Sequence, residues 1–533
     1  MTASPAEFAV VDLFAGPGGL AEGFSAVVDH DGKRPFKVVL SVEKEKAAHS
    51  TLLLRAFLRQ FGERVPVEYL TFLKKGTAEP AWAELYPGQW GAAKRDALLL
   101  ELGLPETDMV LKKRISEIRK HHGGNTVLIG GPPCQAYSLV GRARNRGIAS
   151  YVAENDPKHL LYENYIKILS HLKPAAFVME NVKGILSSTL NSELIFKKIT
   201  EDLRAAGDGY VLVALSSRSS QQPELISAEP HTSDFIVRGE EYGLPQARHR
   251  VIIVGIRKRE FDKSAVLAAG QLLVPAETRV NVKDVLGGMP RLRSGLSRGD
   301  SDREWVQAIK EASVSVCKAV DFLPAKERAI FRDRVKACVG VTSSPSHDWN
   351  RTALRPAGVG EDCPKYLRRW LLDPRLDVLP NNETRAHMRA DLARYLFASV
   401  FAELVLNSPR VEDFPDSLAP DHKSWSTGKF RDRFRVQLSG CPSTTVTSHI
   451  HKDGHYFIHY DPEQCRSLTV REAARLQTFP DNYLFKGTRT EQFIQVGNAV
   501  PPYLAKQIGE AVYRLLTLQV QTANATKGNP LPR

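Results

Sequence analysis

The sequence predicts an open α/β fold on a mostly parallel sheet, joined to a second region of different character. Three observations carry this. Short apolar runs alternate with stretches of helical spacing between residues 8 and 259. A glycine-rich turn directly follows the first run, and the alternation fails after residue 259 and resumes at 466.

FAVVDLF (8–14) reads as the first strand, broken by Gly-Pro-Gly-Gly and followed by LAEGFSAVV with helical spacing. KVVLSVE (37–43) is the second strand, leading into the helix KAAHSTLLLRAFLRQF. Residues 60–120 stand between the second and third expected strands and read as an insertion. TVLIGG, the helix LLYENYIKILSHL, the strand AAFVMENV, the helix LIFKKITEDLRAAG and RHRVIIVGIRKR (248–259) complete the first region. Residues 1–259 are therefore expected as one domain, and 260–465, with short mixed segments rich in Arg, Pro and Ser, as a second. Residues 466–520 return to regular patterning. In RSLTVREAARLQTFPD, Thr469 and Glu472 form a capping box and Pro480 ends the helix. A terminal helix is expected over AVPPYLAKQIGEAVYRLLTLQ, and 521–533 as a disordered tail.

Composition narrows the class. With 42% hydrophobic and 25% charged residues the chain has a soluble globular make-up, and no run approaches the ~20 apolar residues of a membrane helix. The default expectation is a cytoplasmic protein. Six cysteines without a CxxC pair argue against a disulfide framework and a zinc ribbon. A net charge of +13 favours a polyanionic partner. In HIHKDGHYFIH (449–459), His451, His455 and His459 repeat at helical spacing, but KDG signals a turn and HYFIHY a strand, so a hairpin and no metal site is expected.

Gly16, Gly18 and Gly19 fall between a strand and a helix, where missing β-carbons let a ligand approach backbone N–H groups. Glu43, ending the second strand, suits the two hydroxyls of a ribose, or is simply a solvated strand end among Lys44, Glu45 and Lys46. Together they suggest an adenosine-containing cofactor. In GGPPCQAYS (130–138) two prolines restrict the backbone that presents Cys134 at a strand end. Glu180 ends the neighbouring strand, so a thiol and a carboxyl are expected at the same sheet edge. That pair suits a substrate that receives a nucleophile while a ring nitrogen receives a proton.

These residues resemble the cytosine-5 DNA methyltransferases that use S-adenosylmethionine. Six blocks stand in that family's order: DLFAGPGG, GGPPCQAYS, MENVKG, QARHR (246–250), RSLTVREAARLQTFPD and QVGNAVPP (495–502). The resemblance implies a Rossmann-like S-adenosylmethionine-dependent methyltransferase domain with a smaller mixed target-recognition domain over 260–465. It implies that Cys134 attacks C6 of a cytosine flipped out of duplex DNA while Glu180 engages N3 and the exocyclic amine. Arg250 would contact the cytosine or its phosphate, with Arg248 supporting the loop. Phe14, Ala15, Gly16, Gly18, Gly19, Leu20, Glu43, Leu161, Asn498 and Val500 fall where the family binds the cofactor. Residues 138–159, with Arg142, Arg144 and Arg146, fall where it carries its catalytic loop, though a solvated basic loop has the same composition. One departure stands out: KKRISEI (112–118) places Arg114 where the family carries an acid near the adenine amine.

The implied enzyme acts as a monomer on duplex DNA, in the manner of the modification half of a restriction-modification system with a separately encoded endonuclease. Three alternatives stay open: an RNA (transfer RNA) cytosine-5 methyltransferase, a noncatalytic DNA-binding protein of the same fold, and a nucleotide-dependent oxidoreductase. The long second domain favours duplex DNA, and the oxidoreductase leaves PPCQ, ENV and QARHR without a role.

Overall fold

The computed structural model describes residues 7–76, 78–133, 161–190, 193–216, 231–261, 271–343, 350–352, 358–421, 425 and 433–527. Its central sheet starts from β1 (Phe8–Leu13), whose six residues are all buried, as befits a strand covered on both faces. β1 pairs in parallel with β2 (Phe36–Glu43), and β2 with the edge strand β3 (Ala97–Leu99). On the other side β1 pairs in parallel with β4 (Thr126–Gly130), which pairs in parallel with β5 (Ala176–Val182). Two further short strands, β6 (Tyr210–Val213) and β7 (Ile236–Arg238), pair antiparallel with β8 (His249–Arg257), which lies antiparallel against β5. The order is β3-β2-β1-β4-β5-β8-β6, with β7 on β8.

The period-two alternation of β1 sorts its side chains into two cores. Phe8 and Val10 pack with Leu20 and Phe24 of helix Gly19–Ser25 and with Leu504, Ile508 and Val512 of helix Pro502–Lys527. Ala9, Val11 and Leu13 pack with Leu111 and Ile115 of helix Pro105–His122 and with Tyr165 and Leu169 of helix Leu161–Leu172. Helices thus cover both faces, and the carboxyl ends of β1, β2, β4 and β5 share one edge.

The expected insertion over 60–120 is corrected by this topology. Its second half supplies β3 and the helix Pro105–His122, both integral to the sheet. Only the helices Val67–Lys75, Trp82–Leu85 and Pro87–Asp96 stand apart, where Tyr69, Trp82 and Ala93 form a separate core with Leu52 and Phe57 of helix Lys46–Arg59. β3 escapes a sequence reading because three edge residues inside ALLLEL carry no alternation.

In the second region the regular elements among the described residues are mainly helices. Helices Asp302–Ala319, Ala325–Thr342 and Arg389–Val405 bury Trp305, Phe331, Val335, Leu396 and Phe397 together. Another core joins Val282, Leu286, Leu367 and Val446 to Ala473, Phe479 and Phe493, so parts of 260–465 fold onto the return segment. The hairpin expected at 449–459 is not formed. Ser448–His451 is a single 3-10 turn, and Ile458 bridges Val436 and Ser467 instead. His455 packs against Phe434 and Tyr395, and His459 lies 3.8 Å from Glu472, both as buried core groups. The terminal helix runs on to Lys527, into the segment expected as a disordered tail. Residues 528–533 lie outside the described ones.

Candidate active site

The glycine turn leaves β1 with Phe14 and Gly16 both at φ +56° and Gly18 at φ +100°, conformations in which glycine carries no β-carbon penalty and Phe14 does. Its three glycines do different work. Around Gly16 a β-carbon would meet nothing within 4 Å, so this one faces open space as a ligand-approach glycine should. At Gly18 it would lie 2.9 Å from Leu52 Cδ1, and at Gly19 2.2 Å from the carbonyl oxygen of Val500. Gly18 and Gly19 are held small in addition by other parts of the chain that press against them. Leu20 is buried beneath the turn. Ala15 N–H donates to the Val42 carbonyl at 3.0 Å, tying the turn to β2.

Glu43 is not a solvated strand end. It is buried, with Oε2 accepting from Gly16 N–H at 2.7 Å and Oε1 from the N–H groups of Lys44 and Glu45 at 2.9 and 2.7 Å. Three backbone donors fix the carboxylate at the carboxyl end of β2, and Oε2, with one donor, keeps lone-pair capacity for another. Phe14 and Leu161 both pack, half-buried, against the same side of the sheet. Asn498 is exposed at the end of helix Arg489–Asn498, two residues before Val500.

Arg114 does not lie at this edge. It sits inside the helix Pro105–His122, reaching Glu117 at 3.4 Å and the Val39 carbonyl at 3.3 Å. The acid that follows the third strand is Glu101, which sequence reasoning missed. Leu99 stands opposite Glu43, Leu100 N–H donates to the Glu43 carbonyl at 3.0 Å, and Glu101 meets Lys44 at 3.2 Å. The signal was present in ALLLEL, an apolar run closed by an acid just before Gly103.

At the other half of the edge, β4 and β5 run in parallel with Gly130 beside Met179. Asn181 Nδ2 donates to the Pro132 carbonyl at 3.2 Å, and its Oδ1 accepts from Val182 N–H at 2.8 Å. One side chain thus pins the Pro-Pro turn to the end of β5. A β-carbon on Gly131 would lie 2.9 Å from Glu180 Oε2, so that glycine makes room for the carboxylate. Cys134 and the loop at 138–159, with Arg142, Arg144 and Arg146, lie outside the described residues.

Glu180 Oε1 meets Arg250 Nε at 2.9 Å, both side chains 13% exposed. Their meeting follows from register: Ile252 of β8 stands opposite Glu180, which puts Arg250, two residues away, on the same face. Burial presses the Arg250 guanidinium below its ordinary range and Glu180 pushes it back up. Arg248 has other partners. It is fully buried, donating to the carbonyls of Val446 at 2.9 Å, Gly497 at 3.4 Å and Ala499 at 2.9 Å, and burial pushes it down more strongly. Gln246 works beside it, donating to the Leu476 carbonyl at 3.1 Å and accepting from Val446 N–H at 2.7 Å. QARHR thus fastens the return segment to the sheet, with one arginine in the clasp and the other at Glu180.

The edge therefore offers an open glycine, a fixed carboxylate at the end of β2, and a second carboxylate paired with an arginine beside a proline-stiffened turn. This donor set fits an adenosine-bearing ligand next to a reacting base. Comparison with known proteins agrees. The family model described as C-5 cytosine-specific DNA methylase matches residues 109–310 and 378–514. The chain is 30% identical to the type II methyltransferase M.Bpa9945I of Bacillus paralicheniformis, covering 94% of this chain and 98% of that one. It is 26% identical to the type II methyltransferase M.AgeI of Thalassovita gelatinovora, covering 72% and 82%. A solved E. coli prophage-encoded chain, named as a DNA modification methyltransferase, shares the fold with TM-score 0.51 and 19% identity, covering 96% of this chain and all of that one. The protein belongs to the C-5 cytosine-specific DNA methylase family, the DNA (cytosine-5-)-methyltransferases whose methyl donor is S-adenosylmethionine.

Proposed function

We propose that the chain methylates C5 of a cytosine within a specific duplex DNA sequence, flipping the base out and using Cys134 as a transient nucleophile. The observation that carries this reading is the Glu180–Arg250 pair beside the Pro-Pro turn that Asn181 holds. C5 of cytosine is a poor nucleophile, and addition of the Cys134 thiolate at C6 divides the reaction into easier steps. Glu180 would meet N3 and the exocyclic amine, so the charge arriving in the ring as the sulfur adds is met by a proton at N3. Arg250 would hold that carboxyl in place while facing the base or its phosphate. When bound, S-adenosylmethionine supplies an electrophilic methyl group on a sulfonium. Loss of the C5 proton then expels the thiolate and restores the enzyme.

Phe14, Ala15, Gly16, Leu20, Glu43, Leu161, Asn498 and Val500 are proposed to surround the donor, with Gly18 and Gly19 shaping the turn and Glu101 in place of Arg114 near the adenine. Arg248 would keep the return segment seated over this pocket. The region from 260 to 465, led by its helical core, is proposed to read the bases. The type II names of the relatives support a place as the modification half of a restriction-modification pair; a monomer with a separately encoded endonuclease is proposed with it.

Duplex DNA carrying 5-fluorocytosine at the target, incubated with enzyme and S-adenosylmethionine, should yield a covalent adduct on a denaturing gel, because fluorine blocks the final elimination. Cys134→Ala should yield none while still binding DNA. An adduct with Cys134→Ala, or none with an active wild type, would overturn the assignment. Plasmid methylation followed by sequencing of the modified sites reports the recognised bases.

A further inference from the structure

We propose that Tyr483 is a positioning residue for the glycine turn, and that the helices of residues 67–96 serve donor binding by holding Tyr483 in place. The inference rests on the reading of that turn as the S-adenosylmethionine site.

Tyr483 belongs to the return segment, yet its hydroxyl donates to the Pro17 carbonyl at 2.5 Å. Both residues are buried, so this oxygen has no water to turn to if the hydroxyl is lost. The Pro17–Gly18 peptide is the pivot of the turn. Gly18 leaves it at φ +100°, and a β-carbon there would lie 3.2 Å from Tyr483 Oη, so hydroxyl and glycine are matched in space. Orientation of this peptide sets the course of backbone past Gly16, the one glycine of the turn with open space beside it.

Tyr483 is itself gripped. Arg55 stacks its guanidinium 4.4 Å from the ring centroid, and the rings of Phe479 and Phe485 lie at 4.8 and 5.3 Å. Arg471 donates to the Tyr483 carbonyl at 2.5 Å. One residue earlier, the Asn482 carbonyl accepts from Arg55 at 3.3 Å and from Tyr69 Oη at 3.0 Å. Tyr69 is the buried anchor of helix Val67–Lys75, packed in the aromatic core with Phe57 and Trp82. Lys486 pairs with Glu79 of the link before helix Trp82–Leu85, and Lys74 of helix Val67–Lys75 with Asp377. A continuous strut therefore runs from the 67–96 helices through Tyr69, Asn482 and Tyr483 to Pro17. Packing alone would need only a phenylalanine at 483; among the described residues the hydroxyl's hydrogen-bond partner is Pro17.

The test is donor affinity measured calorimetrically on the full chain, beside duplex DNA affinity without donor and thermal unfolding. Tyr483→Phe should raise the S-adenosylmethionine Kd about fivefold and leave the DNA Kd within about twofold. Tyr69→Phe should raise the donor Kd about twofold alone and add nothing in the Tyr483→Phe background, since both act on one path. Glu43→Gln gauges the turn as the donor site. If Glu43→Gln weakens donor binding and Tyr483→Phe does not, the strut is wrong and the site stands. If neither weakens it, the site reading fails and takes the strut with it. Equal losses of donor and DNA affinity in Tyr483→Phe, or additive effects of Tyr69→Phe, would overturn the positioning role.

Discussion

Asp12 shows what a single residue can do beneath a ligand turn. It stands on β1 between Ser41 of β2 and Ile129 of β4, fully buried, with neither carboxyl oxygen hydrogen-bonded among the described residues. Burial pushes its pKa up to about 8, with Arg59 opposing and Glu43 adding. The folded chain therefore keeps a proton that the unfolded chain loses near the ordinary aspartate value of 3.8. Between those pH values folding binds a proton, so stability contributed by the neutral acid is full below about 4 and falls as pH rises to about 8. Asp12→Asn, neutral throughout, should gain on the wild type as pH rises; urea unfolding of both at pH 6 and 8.5 checks it, and a constant gap would refute it. The sequence reading took the glycines from DLFAGPGG and passed over this acid, because an isolated Asp beside a loop reads as solvent-facing. Gly19 carries a packing constraint that its place in DLFAGPGG does not show. That Val500, far along the chain, fills the space could be learned only from the fold.

At the scale of an element, the return segment RSLTVREAARLQTFPD is the instructive case. Its capping box was legible from T-x-x-E spacing, and the structure bears it out: Thr469 Oγ1 accepts from Glu472 N–H at 3.1 Å, while Glu472 accepts from Thr469 N–H at 2.7 Å. The fate of its arginines was not legible. Arg466, Arg471 and Arg475 are all fully buried, where composition would place them on a solvated face. Each is compensated by groups remote in pattern: Arg466 is bidentate to Glu472 at 2.6 and 2.7 Å, Arg475 to Asp481 at 2.6 and 2.9 Å, and Arg471 donates to the carbonyls of Pro380, Pro480 and Tyr483. Glu472 thus caps a helix and neutralises a buried guanidinium with the same two oxygens, and Arg466 draws its pKa down to about 2 against the effect of burial. Two substitutions separate these duties. Thr469→Ala should cost about 1 kcal/mol, an ordinary lost cap. Glu472→Gln should cost about 3 kcal/mol or more, because it strands a buried cation. Chemical unfolding of the two variants measures both, and equal costs would show that the ion pair adds nothing.

For the whole molecule, the buried histidines between the helical core and the return segment set a second titration of opposite sign. His387 accepts from Ser467 N–H at 3.3 Å, and Tyr395 Oη lies 3.5 Å from His387 Nδ1 and 2.8 Å from His455 Nδ1. His459 Nδ1 accepts from Asp461 N–H at 3.1 Å, and its Nε2 lies 3.8 Å from Glu472. Burial lowers all three, with Arg385 and Arg466 adding to the fall at His387 and Arg466 at His459, while Asp453 opposes it at His455 and Glu472 and Asp461 at His459. His459 is brought down to about 4. The unfolded chain binds these protons near pH 6.5 and the folded chain does not, so their contribution is full above about 6.5 and declines as pH falls below it, for His459 down to about 4. Asp12 acts the other way across its own range, a single group against three. Below about 6.5 the histidines prevail and stability rises with pH; above it only Asp12 remains of these four and stability declines. A maximum near pH 6.5 follows. Urea midpoints at half-unit steps from pH 5 to 8.5 should trace that peak, and Asp12→Asn should convert its alkaline side to a plateau and steepen the acid limb, where Asp12 opposes the histidines. A wild-type midpoint that is flat from pH 5 to 6.5 would mean that the histidines are protonated in the fold, and that the seam joining the second region to the sheet is wetter than its packing shows.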